Sequence, residues 1–337
     1  MILQNRIQNP TELDCQLIEQ QITSGWDDIV QFSDKLYTDK LLNEINNLCQ
    51  HYDSHFGVRF YGHTFDCKNL ERIPDVKYLS LDCMLEVNKL EVVATKLMHL
   101  ERFGLGVFEI KETEILGAQN LHKIKYLMLT DTRTKAFNLD HLRNYRNLRT
   151  LMVCGHTKNI DAIGDLLKLN QLNLNSVSKV PLHFINKLKE LKTLKIILGG
   201  RSNIEEIEKN EIEDLEIIWV RGFNSFNNIS NFTKLKNLKI EDNIQLKELH
   251  FDRNLNDLED FKLLNCKTFT TLTGIEKLKT LSHLRIYKTA IDFENFVKLP
   301  RPDSLKILAF YTTKARIDKI IKERLKSMGY TDGLDRD

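Results

Sequence analysis

Apolar residues along this chain recur in a triplet whose members are spaced three and then two residues apart. In the stretch LKNLKIEDNIQLKEL, the triplet is Leu235, Leu238 and Ile240. Its last two members alternate with polar residues, as on a short β-strand that has one buried face. The segments between triplets, such as LTGIEKLKTLSHL, carry apolar residues three and four apart, which favours a short helix or 3-10 turn. Each unit is therefore predicted to contain one strand and one return.

This triplet occurs eleven times at a regular interval. The other copies are Val76/Leu79/Leu81, Leu100/Phe103/Leu105, Ile124/Leu127/Leu129, Leu148/Leu151/Val153, Leu169/Leu172/Leu174, Leu191/Leu194/Ile196, Leu215/Ile218/Val220, Leu258/Phe261/Leu263, Leu281/Leu284/Ile286 and Leu305/Leu308/Phe310. Their starting points lie 20 to 24 residues apart, with an average of 22.9. One such unit cannot bury its apolar side alone. Stacked units are predicted to form a parallel sheet with a continuous core behind it.

The repeat resembles that of the leucine-rich repeat family, L-x-x-L-x-L-x-x-N/C-x-L over about 20–29 residues. Asn243 in LKNLKIEDNIQL and Cys266 in LEDFKLLNCKTF match its asparagine or cysteine position. In other repeats this position holds Thr132, His156, Thr289, Thr313, Phe108 or Phe223. The asparagine ladder of the family is thus incomplete, and irregular turns are expected there. The resemblance implies an α/β fold, a curved horseshoe-shaped solenoid with the parallel β-sheet on its concave face.

Both ends of the chain are predicted to cap the solenoid. The stretches TELDCQLIEQQI and DKLLNEINNLCQHY have helical apolar spacing, so residues 1–53 are interpreted as a helical N-terminal cap. Residues 54–313 then hold the repeats, with HFGVRFYG as a divergent first strand. Residues 314–337 are interpreted as a C-terminal capping helix and tail. In KARIDKIIKERLKSMG, one side of this helix is predicted to carry Ile317, Ile320, Ile321, Leu325 and Met328.

Composition and charge describe an ordinary soluble chain. Of 337 residues, 42% are apolar and 28% are charged, and the formal net charge is +2, so any electrostatic partner must meet a local patch. The sequence has no leader-like start and no apolar run long enough for a membrane span, so a cytoplasmic location is expected. The six cysteines are not spaced in pairs along the chain, and they are expected to be buried thiols. A monomer without cofactors is the simplest expectation.

Motifs for catalysis are scarce. No phosphate-binding loop, HExxH, GxSxG or kinase signature is present, and GGRS at Gly199–Ser202 is interpreted as a turn. Five potential zinc ligands lie within 19 residues: Cys49, His51, His55, His63 and Cys67. They include no CxxC pair, and Cys49 belongs to an apolar helical stripe, so we expect buried thiols and no bound metal. A metal-dependent enzyme that uses this cluster remains the weakest alternative.

The residues between the triplet positions point outward from the predicted sheet. Two such columns carry cations and aromatic residues in the second half of the chain, and the candidate partner-binding residues are Lys195, Trp219, Arg221, Lys239, Lys262, Arg285, Tyr287 and Tyr311. Tryptophan, tyrosine and arginine are enriched at interaction hot spots, which favours Trp219 as an anchor. The alternative is that these are ordinary solvated strand residues.

A non-catalytic protein-binding module is the favoured function. Its partner is expected to be a protein with an acidic patch, and its role that of an adaptor or an inhibitor. A nucleic-acid-binding protein that uses the same basic and aromatic residues is the alternative, although a net charge of +2 disfavours it.

Overall fold

The computed structural model of the protein describes residues 4–34, 36–133 and 136–333. The chain divides into two compact units, the first ending at Leu169 and the second beginning at Asn170. Each unit contains a parallel sheet with seven of its strands. The outer ends of both predicted caps, residues 1–3 and 334–337, lie outside the described residues.

In the first unit, seven parallel strands follow one another in chain order across the sheet. They are β1 (Gln4–Gln8), β2 (Asp27–Ser33), β3 (Phe56–Asp66), β4 (Tyr78–Asn88), β5 (Arg102–Val107), β6 (Tyr126–Leu129) and β7 (Thr150–Cys154). The α-helices are α1 (Cys15–Thr23), α2 (Asp39–His51) and α3 (Glu91–Lys96). Later returns are 3-10 turns: Cys67–Arg72, Thr113–Gly117, Gln119–Lys123, Leu139–Asn144 and Ile160–Asp165.

In the second unit, the main sheet again consists of parallel strands, and a separate sheet of two short strands accompanies it. The main strands are β8 (Gln171–Asn175), β9 (Thr193–Ile197), β10 (Asp214–Ile218), β11 (Asn237–Glu241), β13 (Asp260–Leu264), β15 (His283–Tyr287) and β16 (Ile307–Tyr311). The small sheet pairs β12 (Glu248–His250) with β14 (Thr271–Thr273). The helices are α4 (Phe293–Phe296) and α5 (Ala315–Ser327), and 3-10 turns cover His183–Lys187, Ile229–Asn231 and Ile275–Lys277.

Each repeat has the architecture that its spacing predicts, one short parallel strand followed by a tight return. Most strands of the second unit bury every second residue, and on β11 the buried ones are the triplet residues Leu238 and Ile240. Phenylalanines from the returns, such as Phe232 and Phe251, are also fully buried and fill the space behind the sheet. The leucine-rich repeat fold implied by the resemblance is thus confirmed.

The N-terminal segment contains two strands that the sequence interpretation did not predict. Helices α1 and α2 lie where the apolar spacing places them, but β1 and β2 extend the sheet of the first unit. Strand β2 is almost wholly buried although it begins with Asp27 and Asp28. Burial raises the pKa of Asp28, while a hydrogen bond with Asn5 acts in the opposite direction. The described part of the predicted cap, residues 4–34 and 36–53, is therefore a mixed αβ segment rather than a purely helical one.

The asparagine position of the repeat has a hydrogen-bonding role in both units. In the second unit, buried Asn243 donates from Nδ2 to the carbonyl oxygen of Ile217 (2.7 Å) and accepts from the N–H of Val220 (3.0 Å). In the first unit, His156 replaces it: its Nδ1 accepts from the N–H of Phe137 (3.3 Å) and its Nε2 contacts the carbonyl oxygen of Thr130 (2.7 Å). A histidine with one acceptor and one donor nitrogen thus substitutes for the asparagine amide.

The C-terminal helix α5 is present but covers less than predicted. Ile321 and Leu325 are buried against the unit, whereas three of the five predicted apolar contacts are exposed: Ile317 (42%), Ile320 (60%) and Met328 (38%). The apolar stripe that packs against the unit is thus narrower than the stripe predicted from the sequence, and Met328 lies beyond the last residue of α5.

Candidate functional site

The outward side chains of the sheet of the second unit are at least partly exposed from β9 to β15, whereas Ile307 and Ala309 on β16 are buried. We call the outward side chains from β9 to β16 the unit-2 face. Backbone pairing arranges them in three rows. The middle row consists of Lys195, Glu216, Lys239, Lys262, Arg285 and Ala309. The row at the carboxyl ends of the strands consists of Ile197, Ile218, Glu241, Leu264, Tyr287 and Tyr311, and the third row of Thr193, Asp214, Asn237, Asp260, His283 and Ile307.

Trp219 and Arg221 do not lie in these rows, which corrects the predicted columns. The buried residues of β10 are Leu215 and Ile217, so the triplet of this repeat starts three residues before Leu215. The stretch LEIIWV contains so many apolar residues that two placements satisfy the three-then-two spacing, and only the backbone pairing decides between them. Glu216 occupies the position that was predicted for Trp219.

Trp219 lies instead in the turn directly after β10, where its side chain is 65% exposed. Its N–H donates to the carbonyl oxygen of Glu241 (2.8 Å), and its φ is +52°. The residues after neighbouring strands share this left-handed conformation, namely Leu198, Asp242 and Asn265. The conformation suits asparagine, aspartate and glycine, and it is unfavourable for a bulky side chain. The indole is therefore presented to solvent from a strained turn.

Trp219 forms one end of an apolar patch, which we define as Ile197, Leu198, Ile218 and Trp219. Ile197 and Ile218 are paired across β9 and β10, and the N–H of Leu198 donates to the carbonyl oxygen of Ile218 (2.8 Å). All four side chains are partly or largely exposed. Sequence reasoning identified only the tryptophan, because the misplaced register assigned Ile218 to the core. The doubled isoleucines in LKIILGG and LEIIWV are the signal that could have revealed the patch.

The cations of the unit-2 face are largely balanced by carboxylates. Three lysines form ion pairs: Lys195 with Glu216 (2.8 Å), Lys239 with Glu241 (2.6 Å) and Lys262 with Asp260 (3.7 Å). Over all three rows, four cations stand beside four carboxylates. The cations are concentrated in the middle row, whereas most carboxylates flank it.

The remaining candidate residues lie near the ends of the strands. Tyr287 and Tyr311 are paired across β15 and β16 and are partly exposed. The hydroxyl group of Tyr311 is held by the carboxylate of Asp332. Arg221 is exposed in the turn after Trp219. The structure thus brings the tyrosines together with the middle-row cations and places Arg221 near the apolar patch in the chain.

We call the outward side chains of β3 to β6 in the first unit the unit-1 face. Its arginines and tyrosines contact one another in a cation–aromatic network. The guanidinium of Arg102 lies over the ring of Tyr78 (4.3 Å to the centroid) and near that of Tyr126 (5.4 Å). Its Nη1 donates to Oδ2 of buried Asp27 (2.6 Å). Gly57 makes room for the stack, since a Cβ there would lie 2.6 Å from the Tyr78 ring.

A second arginine of the unit-1 face is held in the same way. Arg59 donates to Oε1 of Gln31 (3.2 Å), forms an ion pair with Asp82 and lies over the ring of Tyr61 (4.9 Å). The hydroxyl of Tyr61 in turn accepts from Gln8 (2.9 Å). Sequence reasoning did not predict these contacts, and those with Gln31, Asp82 and Gln8 join residues at least 23 positions apart in the chain.

The potential zinc ligands are not brought together. Cys49 and Cys67 are buried, and burial raises the pKa of Cys49 to about 12 and also raises that of Cys67. His55 contacts Asp27 (2.7 Å) and His63 lies near Asp34 (3.6 Å). Within residues 4–34, 36–133 and 136–333, no group of three histidine, cysteine or acidic side chains is arranged to hold a metal ion.

The glycine pair of GGRS is a turn, as predicted. Gly199 has a φ of +74°, and a Cβ there would lie 2.5 Å from the carbonyl oxygen of Val177. Gly200 forms backbone bridges with Ser178 and Arg221. The positive φ and the close backbone packing explain Gly199 without any ligand.

Comparisons with known proteins identify similar folds at low sequence identity. An internalin from Listeria monocytogenes is 15% identical with a TM-score of 0.47, and the match covers 92% of this chain and 87% of the internalin. A leucine-rich repeat protein from Leptospira interrogans is 15% identical with a TM-score of 0.46, and 94% of this chain and 92% of that one are covered. The receptor in a TLR13–ssRNA13 complex is 17% identical with a TM-score of 0.47, with coverage of 77% and 46%.

No protein-family model matches the chain, and no curated protein matches it significantly. None of the helices in the described part of the chain is long and apolar enough to cross a bilayer.

Proposed function

We propose that the protein is a non-catalytic protein-binding module whose partner docks on the unit-2 face. The apolar patch carries this proposal. Trp219 is 65% exposed beside two isoleucines and a leucine, and large exposed aromatic side chains of this kind dominate the energetics of protein interfaces. A bulky residue with φ of +52° costs stability of about 1 kcal/mol, so its presence in this turn favours a role outside folding.

The cations of the middle row give the partner its expected charge pattern. Lys239, Lys262 and Arg285 are neighbours on successive strands, and the strand spacing places them about 4.8 Å apart. Glu241 and Asp260 flank them. The proposed partner therefore presents a narrow acidic strip to the middle row and apolar groups to Trp219. Arg221, Lys195, Tyr287 and Tyr311 are proposed to lie at the rim of this contact.

The balance of charge favours a protein over a nucleic acid. A phosphate backbone requires an excess of cations, whereas the unit-2 face carries four cations and four carboxylates. Enzymatic function has little support, because the buried thiols of Cys49 and Cys67 are held in the protonated form by their raised pKa.

Affinity capture from a native lysate tests the proposal. Wild type is compared with a Trp219→Ala/Lys239→Glu/Lys262→Glu variant, and captured proteins are identified by mass spectrometry. We expect one protein to be enriched by the wild type and lost with the variant. The lysine reversals alone should slow association of that protein and flatten its salt dependence. Identical capture profiles, or recovery of nucleic acid alone, would count against the proposal.

A further inference from the structure

The small sheet of the second unit has an open edge. The carbonyl oxygen of Lys247 and the N–H of Phe251 form hydrogen bonds with β14 (3.2 and 3.0 Å). Backbone groups of successive residues point to opposite sides of a strand, so those of Leu249 face β14 as well. The N–H and C=O groups of Glu248 and His250 therefore face away from β14.

This edge of β12 borders a turn that is not joined to it. Elsewhere, successive turns are connected: the N–H groups of Asn224 and Ser225 donate to the carbonyl oxygen of Ser202 (2.9 and 3.2 Å), and those of residues 270 and 271 donate to that of Lys247 (2.8 and 3.2 Å). Across the described residues, no backbone hydrogen bond connects residues 224–227 to β12. Both segments instead line a groove of about 640 Å³.

The lining of the groove selects for a cationic occupant. Glu248 and Asp252 contribute carboxylates, and neither lysine nor arginine is among the described lining residues. His250 and Thr273 form a hydrogen bond (2.7 Å) beside them. Polar groups in the wall of the groove can form hydrogen bonds with the backbone of an extended segment. The buried side chain of Leu249 forms part of its floor.

We propose that this groove binds an extended basic segment of a partner protein, which pairs with Glu248 and His250 as an additional strand of the small sheet. The N–H and C=O groups of these two residues supply the main-chain hydrogen bonds, and an unpaired strand edge is a ready template for such pairing. Glu248 and Asp252 attract the basic side chains of the segment. This second site is distinct from the unit-2 face and does not depend on Trp219.

Amide hydrogen exchange of the full chain, measured by NMR, tests the site with a defined probe. The probe is the capped hexapeptide KTVTVK, and the control is the same peptide with N-methylated backbone amides, which keeps the charge but prevents pairing. At saturating KTVTVK, exchange at Glu248 and His250 should slow by about tenfold or more, whereas Leu249 should not change. Equal slowing with both peptides, or no slowing at Glu248 and His250, would overturn the proposal.

Substitutions test whether the slowed exchange arises from a peptide bound in the groove. Asn224→Trp places a bulky side chain at the exposed wall of the groove and should abolish the protection, whereas Lys267→Trp, at an exposed position outside it, should not. Trp219→Ala should retain peptide binding even if it loses the protein captured through the unit-2 face, so failures of the two proposals are distinguishable. If Glu248 and His250 are already protected without peptide in a concentration-dependent manner, a second copy of the chain occupies the edge and a partner segment is ruled out.

Discussion

The unit-1 face and the unit-2 face use similar residues for different purposes. On the unit-1 face, Arg102 is stacked on Tyr78 and bonded to buried Asp27. The charge of Arg102 and the ring of Tyr78 therefore interact with groups of the same unit. On the unit-2 face, lysines pair with neighbouring carboxylates, but the indole of Trp219 remains 65% exposed. Aromatic and cationic composition alone therefore does not identify a binding surface. The exposed apolar area around Trp219 is the feature on which the proposed binding surface rests.

The largest expected effect comes from breaking the arginine network of the unit-1 face. Arg102→Ala leaves the carboxylate of Asp27, only 2% exposed, without its guanidinium partner. We expect a loss of about 3–5 kcal/mol in the free energy of unfolding, because removing one partner of a buried ion pair is costly even though His55 still contacts the carboxylate (2.7 Å). Urea unfolding followed by the fluorescence of Trp26, in a Trp219→Phe background, measures the effect in the first unit.

The matched control is a lysine of the unit-2 face. The Lys195–Glu216 pair is about one-third exposed on both sides, so Lys195→Ala should cost less than about 1 kcal/mol. Equal losses for the two substitutions would contradict the difference between the faces.

A smaller effect is expected where glycine supports the same network. In Gly57→Ala, the new methyl group would lie 2.6 Å from the ring of Tyr78, so the stack under Arg102 must shift. Overpacking of this kind should lower the free energy of unfolding by about 1–3 kcal/mol. Gly200→Ala in the second unit is the control, since its nearest neighbour would be 3.6 Å away and the change should be within about 1 kcal/mol of neutral. Thermal unfolding of both variants provides the comparison.

The two units should also differ in their response to pH. Burial lowers the pKa of His156, which occupies the position held by Asn243 in the second unit. The unfolded chain therefore binds a proton more readily than the folded first unit. Stability is complete above the unfolded value of about 6.5 and is lost as pH falls through the lowered folded pKa.

His156→Asn should reduce this acid sensitivity of the first unit, because asparagine preserves donor and acceptor without titrating. Burial also lowers the pKa of His122 in the same unit, so some dependence should remain. Unfolding curves at several pH values, followed separately by Trp26 and Trp219, measure it. An unchanged slope in the variant would show that His156 is not the responsible group.

The smallest effect concerns the stability cost of the proposed anchor. Trp219→Asn introduces a residue that favours the left-handed conformation, and neighbouring turns already hold Asp242 and Asn265 there. The second unit should be as stable as the wild type or more stable by up to about 1 kcal/mol, while the captured partner is lost. Thermal unfolding followed by circular dichroism checks the first part. A marked loss of stability would indicate that Trp219 supports the fold.

Much of the fold follows from the sequence, whereas the proposed binding surface does not. The repeat period, α2, α5 and most strands follow from apolar spacing, because a stacked repeat must bury the same positions each time. Strands β1 and β2 lack the triplet and were missed. At β10, a run of apolar residues allowed two registers. Only the backbone pairing with β9 and β11 shows that Ile218 faces outward and that Trp219 lies in the turn after the strand. The Arg102–Asp27 contact spans 75 residues and has no local signal.

The central claim is that a protein partner covers the apolar patch of the unit-2 face. Its most direct test is iodide quenching of Trp219 fluorescence in a Trp26→Phe background, with and without the protein recovered by affinity capture. We expect free Trp219 to be readily quenched and the saturating partner to protect it and shift its emission to shorter wavelength. Unchanged quenching and emission at saturation would show that the partner binds elsewhere and would contradict the claim.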